Sequence, residues 1–154
     1  MQTFFKDYLD ILRTCHTDIL KALDGLPPAA LDWISGPEMN SISVMVFHLT
    51  SAERYWIEDV ASQEPSNRDR DLEFKIHDVG MEVVRKRLDD SLTYARKTLE
   101  KLTLQDLEAS CTTPRDGRKF TVAWALLHAL EHTNLHLGHI QITRQLWMES
   151  KGNI

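Results

Sequence analysis

The sequence predicts an all-α fold, an antiparallel four-helix bundle. Apolar residues recur at intervals of three and four in four long segments, strand-like alternation is almost absent, and segments rich in Pro, Gly and polar residues separate the four. Bundles of this kind build functional sites from inward side chains on facing helices. Because 154 residues can bury a core of ordinary size, we expect a single domain over residues 1–154.

Composition and charge argue against several classes of protein. Hydrophobic residues make up 42% and charged residues 27%, which is typical of a folded globular chain. The net charge of −5 argues against a nucleic-acid partner, since binding to phosphate backbones needs clustered Lys and Arg. The chain has no secretory-signal pattern and no apolar run of about 18 residues, so no membrane partner is expected. Two cysteines are too few for a disulfide framework, which favours the cytoplasm.

The first helix is predicted over residues 3–23. Its apolar residues have the spacing of an amphipathic helix: Phe4, Tyr8, Ile11, Leu12, Cys15, Ile19 and Leu23. The helix should end in "DGLPP", because Gly25 can adopt the left-handed backbone of a helix C-terminus. Pro27 and Pro28 cannot continue the hydrogen-bond ladder.

The second helix is predicted to begin after "SGPEMN", where Asn40 or Ser41 can cap free amide groups. It covers "ISVMVFHLTSAERYWIEDVAS", residues 42–62. One broad face carries His48 together with apolar residues: Val44, Met45, Leu49, Ala52, Tyr55 and Trp56. His48 is therefore expected to point into the bundle.

After the polar loop "QEPSNRDRD", a third helix is predicted over about residues 79–102 and a fourth over about residues 121–148. The fourth contains "HALEHTNLHLGHI". Successive residues of an α-helix are rotated by about 100° around its axis. With this rotation the four histidines of the segment fall within a stripe about 80° wide: His128, His132, His136 and His139. Leu126, Leu130 and Leu137 lie on a different side, so this helix is expected to bury two faces, in the centre of the bundle or at a dimer interface.

The histidine spacing predicts a metal site. His132 and His136 lie one helical turn apart and can share one ion, and inward-pointing His48 can supply a third ligand from another helix. Three protein ligands leave coordination positions open for water or substrate, as in catalytic zinc sites. Histidines at this spacing also occur as exposed or hydrogen-bonded residues, so a metal-free helical scaffold is the alternative.

The other histidines and two acidic residues have less defined roles. His128 and His139 can contact a substrate or a metal ligand, or simply pack. His16 is assigned to a polar face and His77 to a loop, outside the site. Glu53 and Glu131 can orient a metal-bound histidine through its second nitrogen, or lie in solvent.

Four further positions can take part in function or have an ordinary structural role. Arg115 and Arg118 in "PRDGRK" can bind an anionic substrate or belong to an ordinary turn. Cys111 has no neighbour in sequence that would lower its pKa and make it a nucleophile. Gly138 can allow close approach of a backbone or ligand, or is merely tolerated at about 1 kcal/mol relative to alanine.

Two segments resemble the DinB/YfiT-like superfamily of metal-binding four-helix bundles: "HLTSAERYWI" (48–57) and "FTVAWALLHALEHTNLHLGHIQITRQL" (120–146). The resemblance spans nearly the whole chain in helix order. The family pattern has a histidine on the second helix and H-x-x-x-H-x-G-[QH] on the last. The matching residues are His48, His132, His136, Gly138 and His139.

The segment from His48 to Trp56, with "LLHALE" and "HLGH", is most similar to the branch related to mycothiol-dependent maleylpyruvate isomerases. In that branch the position of His132 is often glutamate, so His132 follows the broader family. Leu137 stands where arginine is common, which changes the rim of the site.

The resemblance implies a divalent metal, zinc or nickel, held by His48, His132 and His136, and a homodimer. It also implies a low-molecular-weight thiol and a small-molecule electrophile as partners. We therefore expect an enzyme, thiol S-transferase-like or hydrolase-like, in which the metal activates a thiol or water. The alternative is a dimeric metal-binding stress-response or binding module without catalysis. An open metal position favours the enzyme, whereas a fourth ligand such as His139 favours the module.

Overall fold

The computed structural model describes residues 1–152, so the last two residues of the predicted domain, 153 and 154, lie outside the described residues. Four long helices form the body of the molecule: α1 (Thr3–Leu23), α3 (Ile42–Arg54), α5 (Met81–Leu99) and α6 (Val122–Ser150). Two short helices and a hairpin lie in the connections: α2 (Pro28–Leu31), α4 (Arg70–Glu73), β1 (Ser110–Thr112) and β2 (Lys119–Thr121). A 3₁₀ turn covers Leu104–Glu108. No helix within residues 1–152 is long and apolar enough to cross a membrane.

The helix ends follow the local chemistry that predicted them. Gly25 takes a φ of 73° just after α1. The side chain of Ser41 accepts the backbone N–H of Val44 at the start of α3, and Thr121 caps α6 through the N–H of Trp124 in the same way. Each cap satisfies an amide that the first turn of a helix leaves free.

Besides the short helical turns in the connections, two local features are missing from the sequence prediction. The strands β1 and β2 are three residues each, too short for alternation to be detected, and they pair Cys111 with Phe120. Beyond Arg54 the second predicted helix continues as a π-helix over Tyr55–Ala61. A π-helix has a wider turn than an α-helix and occurs often at functional sites. Here it places Tyr55 and Trp56 against a large cavity.

The predicted four-helix bundle is confirmed, and its connectivity makes two neighbouring pairs parallel. The hydroxyl of Tyr8 donates to the carbonyl of Leu126, and the thiol of Cys15 lies 3.5 Å from Asn134, so α1 and α6 run in the same direction. The long connections 24–41 and 100–121 allow this arrangement, because they carry the chain between helices that are not neighbours.

Helices α3 and α5 also run parallel, since Ser51 contacts Arg87 and Arg54 contacts Tyr94. Antiparallel packing joins α1 to α5 and α3 to α6. Helix α6 therefore contacts α1 on one side and α3 on the other, which confirms that it buries two faces.

The core consists of two apolar clusters, one toward each end of the bundle. One contains Phe5, Trp56, Leu99 and Leu126, and the other contains Ile19, Leu49, Leu88 and Ile140. Spacing alone overestimated burial on the outer face of α1, because Phe4 and Ile11 are exposed.

A buried polar layer lies between the two apolar clusters, and the carboxylate of Glu53 is at its centre. Glu53 accepts hydrogen bonds from His16 Nε2 at 2.8 Å, from Thr133 at 2.7 Å and from Ser91. These residues come from α1, α6 and α5, so one side chain of α3 connects all four long helices. Burying a carboxylate without partners would cost several kcal/mol, and these bonds offset that cost.

This layer corrects two expectations. His16, assigned to a polar face, is 2% exposed, and Glu53, expected in solvent, is 1% exposed. Hydrophobic periodicity treats each charged side chain as an outward position. It cannot detect that two such residues on different helices face each other and compensate for one another's burial.

The polar layer makes the stability of the bundle depend on pH. Burial alone lowers the pKa of His16, but the charge and hydrogen bond of Glu53 outweigh this effect and raise it above the ordinary 6.5. A raised histidine pKa stabilises the fold fully below the unfolded-state pKa, and that contribution is lost as pH rises through the folded-state value.

We therefore expect His16→Gln to lower the free energy of unfolding by on the order of 2 kcal/mol at about pH 6, and by less at about pH 9. Urea unfolding of metal-free protein measures both values. The matched control is His77→Gln, in an exposed loop. A destabilisation by His16→Gln that is equal at the two pH values would contradict this account.

Candidate metal centre

Three histidines from two antiparallel helices meet in the bundle. His48 comes from the middle of α3, and His132 and His136 come from successive turns of α6. One ring nitrogen of each lies within 4.8 Å of the others. His48 Nε2 and His132 Nε2 are 3.2 Å apart. The structure thus brings together the three residues that the sequence singled out.

The spacing of these nitrogens fits a shared ion. Two nitrogens that are each about 2.0–2.1 Å from a tetrahedral zinc ion lie about 3.3 Å from one another. The distance of 3.2 Å between His48 and His132 is close to that value. The ring centroid of His136 is 4.5 Å from that of His132 and 5.1 Å from that of His48, so His136 lies beside the same point.

Two of the three histidines, His132 and His136, are held in the uncharged form. Burial, followed by repulsion from neighbouring histidines, lowers the pKa of His132 to about 3 and that of His136 to about 4. A histidine binds metal only as the neutral imidazole, so both rings are in the binding form at neutral pH. Their Nδ1 atoms are buried without a hydrogen-bond partner among residues 1–152.

The orientation of His48 is set by a carboxylate that sequence reasoning missed. Glu73, on the short helix α4, lies 2.9 Å from His48 Nδ1 and receives two hydrogen bonds from Arg68, at 2.6 and 2.9 Å. Burial alone would raise the pKa of Glu73. The hydrogen bonds from Arg68 and His48 have a larger effect in the opposite direction, so the pKa lies below its ordinary value. An ionised carboxylate can only accept, so His48 donates from Nδ1 and keeps the lone pair of Nε2 directed at the cluster.

Neither acidic residue considered from the sequence has this role. Glu53 contacts His16 and Thr133 in the polar layer, and Glu131 lies 3.2 Å from His128. Glu73 follows a polar loop without helical periodicity. Only the folding of that loop over His48 reveals it.

The other histidines of α6 stay outside the cluster. His128 is half-buried, stacks on Trp124 and has its ring centroid 6.1 Å from that of His132. His139 is exposed, with its centroid 5.4 Å from that of His136. All four nevertheless follow one face of α6, as the stripe predicts, and His77 lies in an exposed loop.

A cavity of about 580 Å³ opens beside the cluster. His48 and His132 line it, together with Trp56 and His128 on the aromatic side. Pockets of this size accommodate small organic molecules. The cluster is therefore accessible to a small ligand.

Arg115 and Arg118 line the same cavity from the β1–β2 turn. This position is consistent with the interpretation that they bind an anionic substrate. Cys111, in contrast, donates to the carbonyl of Phe120, and burial raises the pKa of its thiol, which disfavours a nucleophilic role. A side chain at Gly138 would meet no atom within 4 Å, so no close approach occurs there within residues 1–152.

The fold and the histidine cluster define a helical bundle with a site suited to a metal ion. Residues 11–140 match the model of the DinB superfamily, and the chain belongs to that superfamily. Comparison with curated proteins gives no significant sequence match.

Solved structures share the fold at low sequence identity. A conserved protein from Enterococcus faecalis superposes with a TM-score of 0.78 at 14% identity, covering 95% of this chain and 97% of that one. A DinB-like protein from Bacillus cereus superposes with a TM-score of 0.73 at 16% identity, covering 96% of this chain and 92% of that one. YfiT from Bacillus subtilis superposes with a TM-score of 0.73 at 15% identity, covering 94% of this chain and 89% of that one. YfiT is described as a probable metal-dependent hydrolase with an unusual four-helix bundle topology.

The lowered pKa values of His132 and His136 can be measured directly. In metal-free protein we expect neither ring to take up a proton as the pH falls from about 8 to 5, because burial disfavours the charged form. Imidazole NMR shifts report this titration, with urea-unfolded protein as the control. Protonation of either ring near pH 6.5 would contradict the burial argument.

Proposed function

We propose that this protein is a divalent-metal-dependent enzyme whose ion, zinc or nickel, is held by His48, His132 and His136. One observation carries the proposal: three imidazoles from two helices converge within 4.8 Å of one another beside a cavity of about 580 Å³. A bound divalent ion would lower the pKa of a coordinated thiol or water toward neutrality.

An enzyme is favoured over a binding module because the ligand set is incomplete. Among residues 1–152, only these three metal-ligating side chains converge at the cluster, and exposed His139 is not one of them. Catalytic zinc sites have three protein ligands and an open position, whereas structural sites have four. A dimeric stress-response module with a closed site is the alternative.

The residues around the cluster have separate tasks in this proposal. Glu73 holds His48 in one tautomer, and Arg68 holds Glu73 in turn. Trp56 and His128 form an aromatic wall that limits the water next to the reacting atoms. Arg115, at the turn, is placed to attract a negatively charged group of the substrate.

Thiol transfer is the preferred reaction, on the strength of the family resemblance. In this reaction the thiol loses its proton to water, and its sulfur forms a bond to an electrophilic carbon. The leaving group departs from that carbon with the electron pair of the broken bond and takes up a proton from water. Hydrolysis follows the same scheme with water in place of the thiol. The description of YfiT supports the hydrolytic version, and both versions need the same activated nucleophile.

We also propose that the enzyme is a homodimer. An apolar stripe of α6 supports this, because Leu127, Leu135 and Ile142 are 60%, 57% and 53% exposed. Gly138 lies within the same stripe with open space beside it, which suits the close approach of a second helix.

Metal content tests the ligand set. We expect His132→Ala to abolish stoichiometric divalent metal and to leave the helical circular-dichroism spectrum unchanged, since the half-buried ring is not part of either apolar cluster. Elemental analysis of protein purified without a histidine tag measures the metal. His139→Ala, on the same helix, is the matched control and should keep its metal. Full metal content in His132→Ala would refute the ligand assignment.

Cobalt(II)-substituted protein tests the open position. We expect a low-molecular-weight thiol such as N-acetylcysteine to add a near-ultraviolet charge-transfer band, because a sulfur ligand would enter the vacant coordination position. His132→Ala should show no band. A spectrum that stays unchanged up to millimolar thiol would contradict thiol activation, and turnover of p-nitrophenyl acetate by the zinc form would then support the hydrolase.

A further inference from the structure

A second cavity lies behind the metal centre. It has a volume of about 370 Å³ and is enclosed by α3, α5 and the segment 66–76. Three arginines line it, Arg54, Arg68 and Arg87, and we call it the arginine cavity. Glu73 lies in its wall and also bonds to His48, so it stands between this cavity and the histidine cluster.

Two of the three arginines already have carboxylate partners. Arg68 forms two hydrogen bonds to Glu73, and Arg54 donates to Glu58 at 2.7 Å while stacking on Tyr94. The guanidinium charge of each is therefore largely compensated within the protein.

Arg87 is different. It has no carboxylate within ion-pair distance among residues 1–152, and it donates instead to the neutral hydroxyls of Thr50 and Ser51. Its guanidinium lies over the ring of Phe47, 4.6 Å from the ring centroid. The side chain is half-buried, and burial lowers its pKa, which means that the cation is poorly solvated. Such a charge is unfavourable without an anion beside it.

The other acidic residues of the cavity do not supply that anion. Asp90 pairs with Lys86 at 2.7 Å. Asp69 caps α4, where it accepts the backbone amides of Asp71 and Leu72. With Glu73 bound to Arg68, each carboxylate that lines the arginine cavity has a closer partner than Arg87, and Glu73 and Asp90 act on the charge of Arg87 only from beyond ion-pair distance.

The donors at this cavity suit a tetrahedral oxyanion. Arg87 uses only two of its five N–H groups, and the hydroxyl-bearing side chains of Ser51 and Tyr94 line the same space. Guanidinium groups bind phosphate through paired, charge-assisted hydrogen bonds. A dianionic phosphate has more acceptor oxygens than a carboxylate and uses such a set of donors more fully.

We propose that the arginine cavity binds a phosphate group, free or as the monoester of a small alcohol, with Arg87 as its principal partner. The volume of about 370 Å³ accommodates the phosphate together with a short organic group. The proposal is independent of the metal, because Arg87 lies on α5 and contacts none of the three histidines.

Calorimetric titration of the metal-loaded protein with inorganic phosphate tests this proposal, with sodium chloride added to keep the ionic strength constant. We expect saturable binding that weakens at least tenfold in Arg87→Gln, because the unpaired cation is removed. Arg85→Gln is the matched control, since it removes the same charge from an exposed position of the same helix outside the cavity. Should Arg87→Gln unfold, Arg87→Lys provides a second variant, which keeps the charge but removes the paired donors of the guanidinium and should also weaken phosphate binding.

Further titrations separate this site from the metal centre. His132→Ala should keep its phosphate affinity, and loss of affinity there would place the phosphate on the metal and overturn the proposal. Acetate should bind at least tenfold more weakly than phosphate, and equal binding would overturn the choice of anion. Glycerol 3-phosphate that binds more tightly than phosphate would identify a monoester as the ligand. Binding to Arg87→Gln with wild-type affinity, or no saturable binding to the wild type, would also overturn the proposal.

Discussion

The buried carboxylate of Glu53 is the interaction on which the rest of this structure depends. It accepts hydrogen bonds from side chains of the other three long helices, between the apolar clusters at the two ends of the bundle. His48 precedes Glu53 by about one and a half turns on α3. Thr133, which binds Glu53, is next to His132 on α6. The polar layer therefore sets the alignment of α3 and α6 that places His48 opposite the histidine pair.

Charge is distributed so that His132 and His136 stay neutral while their surroundings are ionic. The cluster is buried enough to exclude protons from His132 and His136, and the ion pair of Arg68 with Glu73 covers His48. That pair comes from a connection rather than from the bundle. It lies between two cavities, one beside the histidines and one lined by Arg87. A chain with a net charge of −5 thus directs cationic groups at both of its main cavities.

Periodicity and short-range chemistry were enough to predict most of the fold. The bounds of α1 agree with the prediction, and the caps at Ser41 and Gly25 were identified because capping needs only neighbouring residues. The inward direction of His48 and the one-turn spacing of the α6 histidines are also local properties of a helix. Their convergence required only that α3 and α6 be neighbours, which the shared apolar faces favour.

By itself the sequence determined the four helices, their buried faces and the three histidines that can meet, because each is specified within a few turns of chain. Only the tertiary structure decided the partners of those residues. Glu73 at His48, Glu53 at His16 and the isolation of Arg87 each depend on segments far apart in sequence. The physical reason is that the cost of burying a charge depends on what lies opposite it, and hydrophobic periodicity contains no information about that partner.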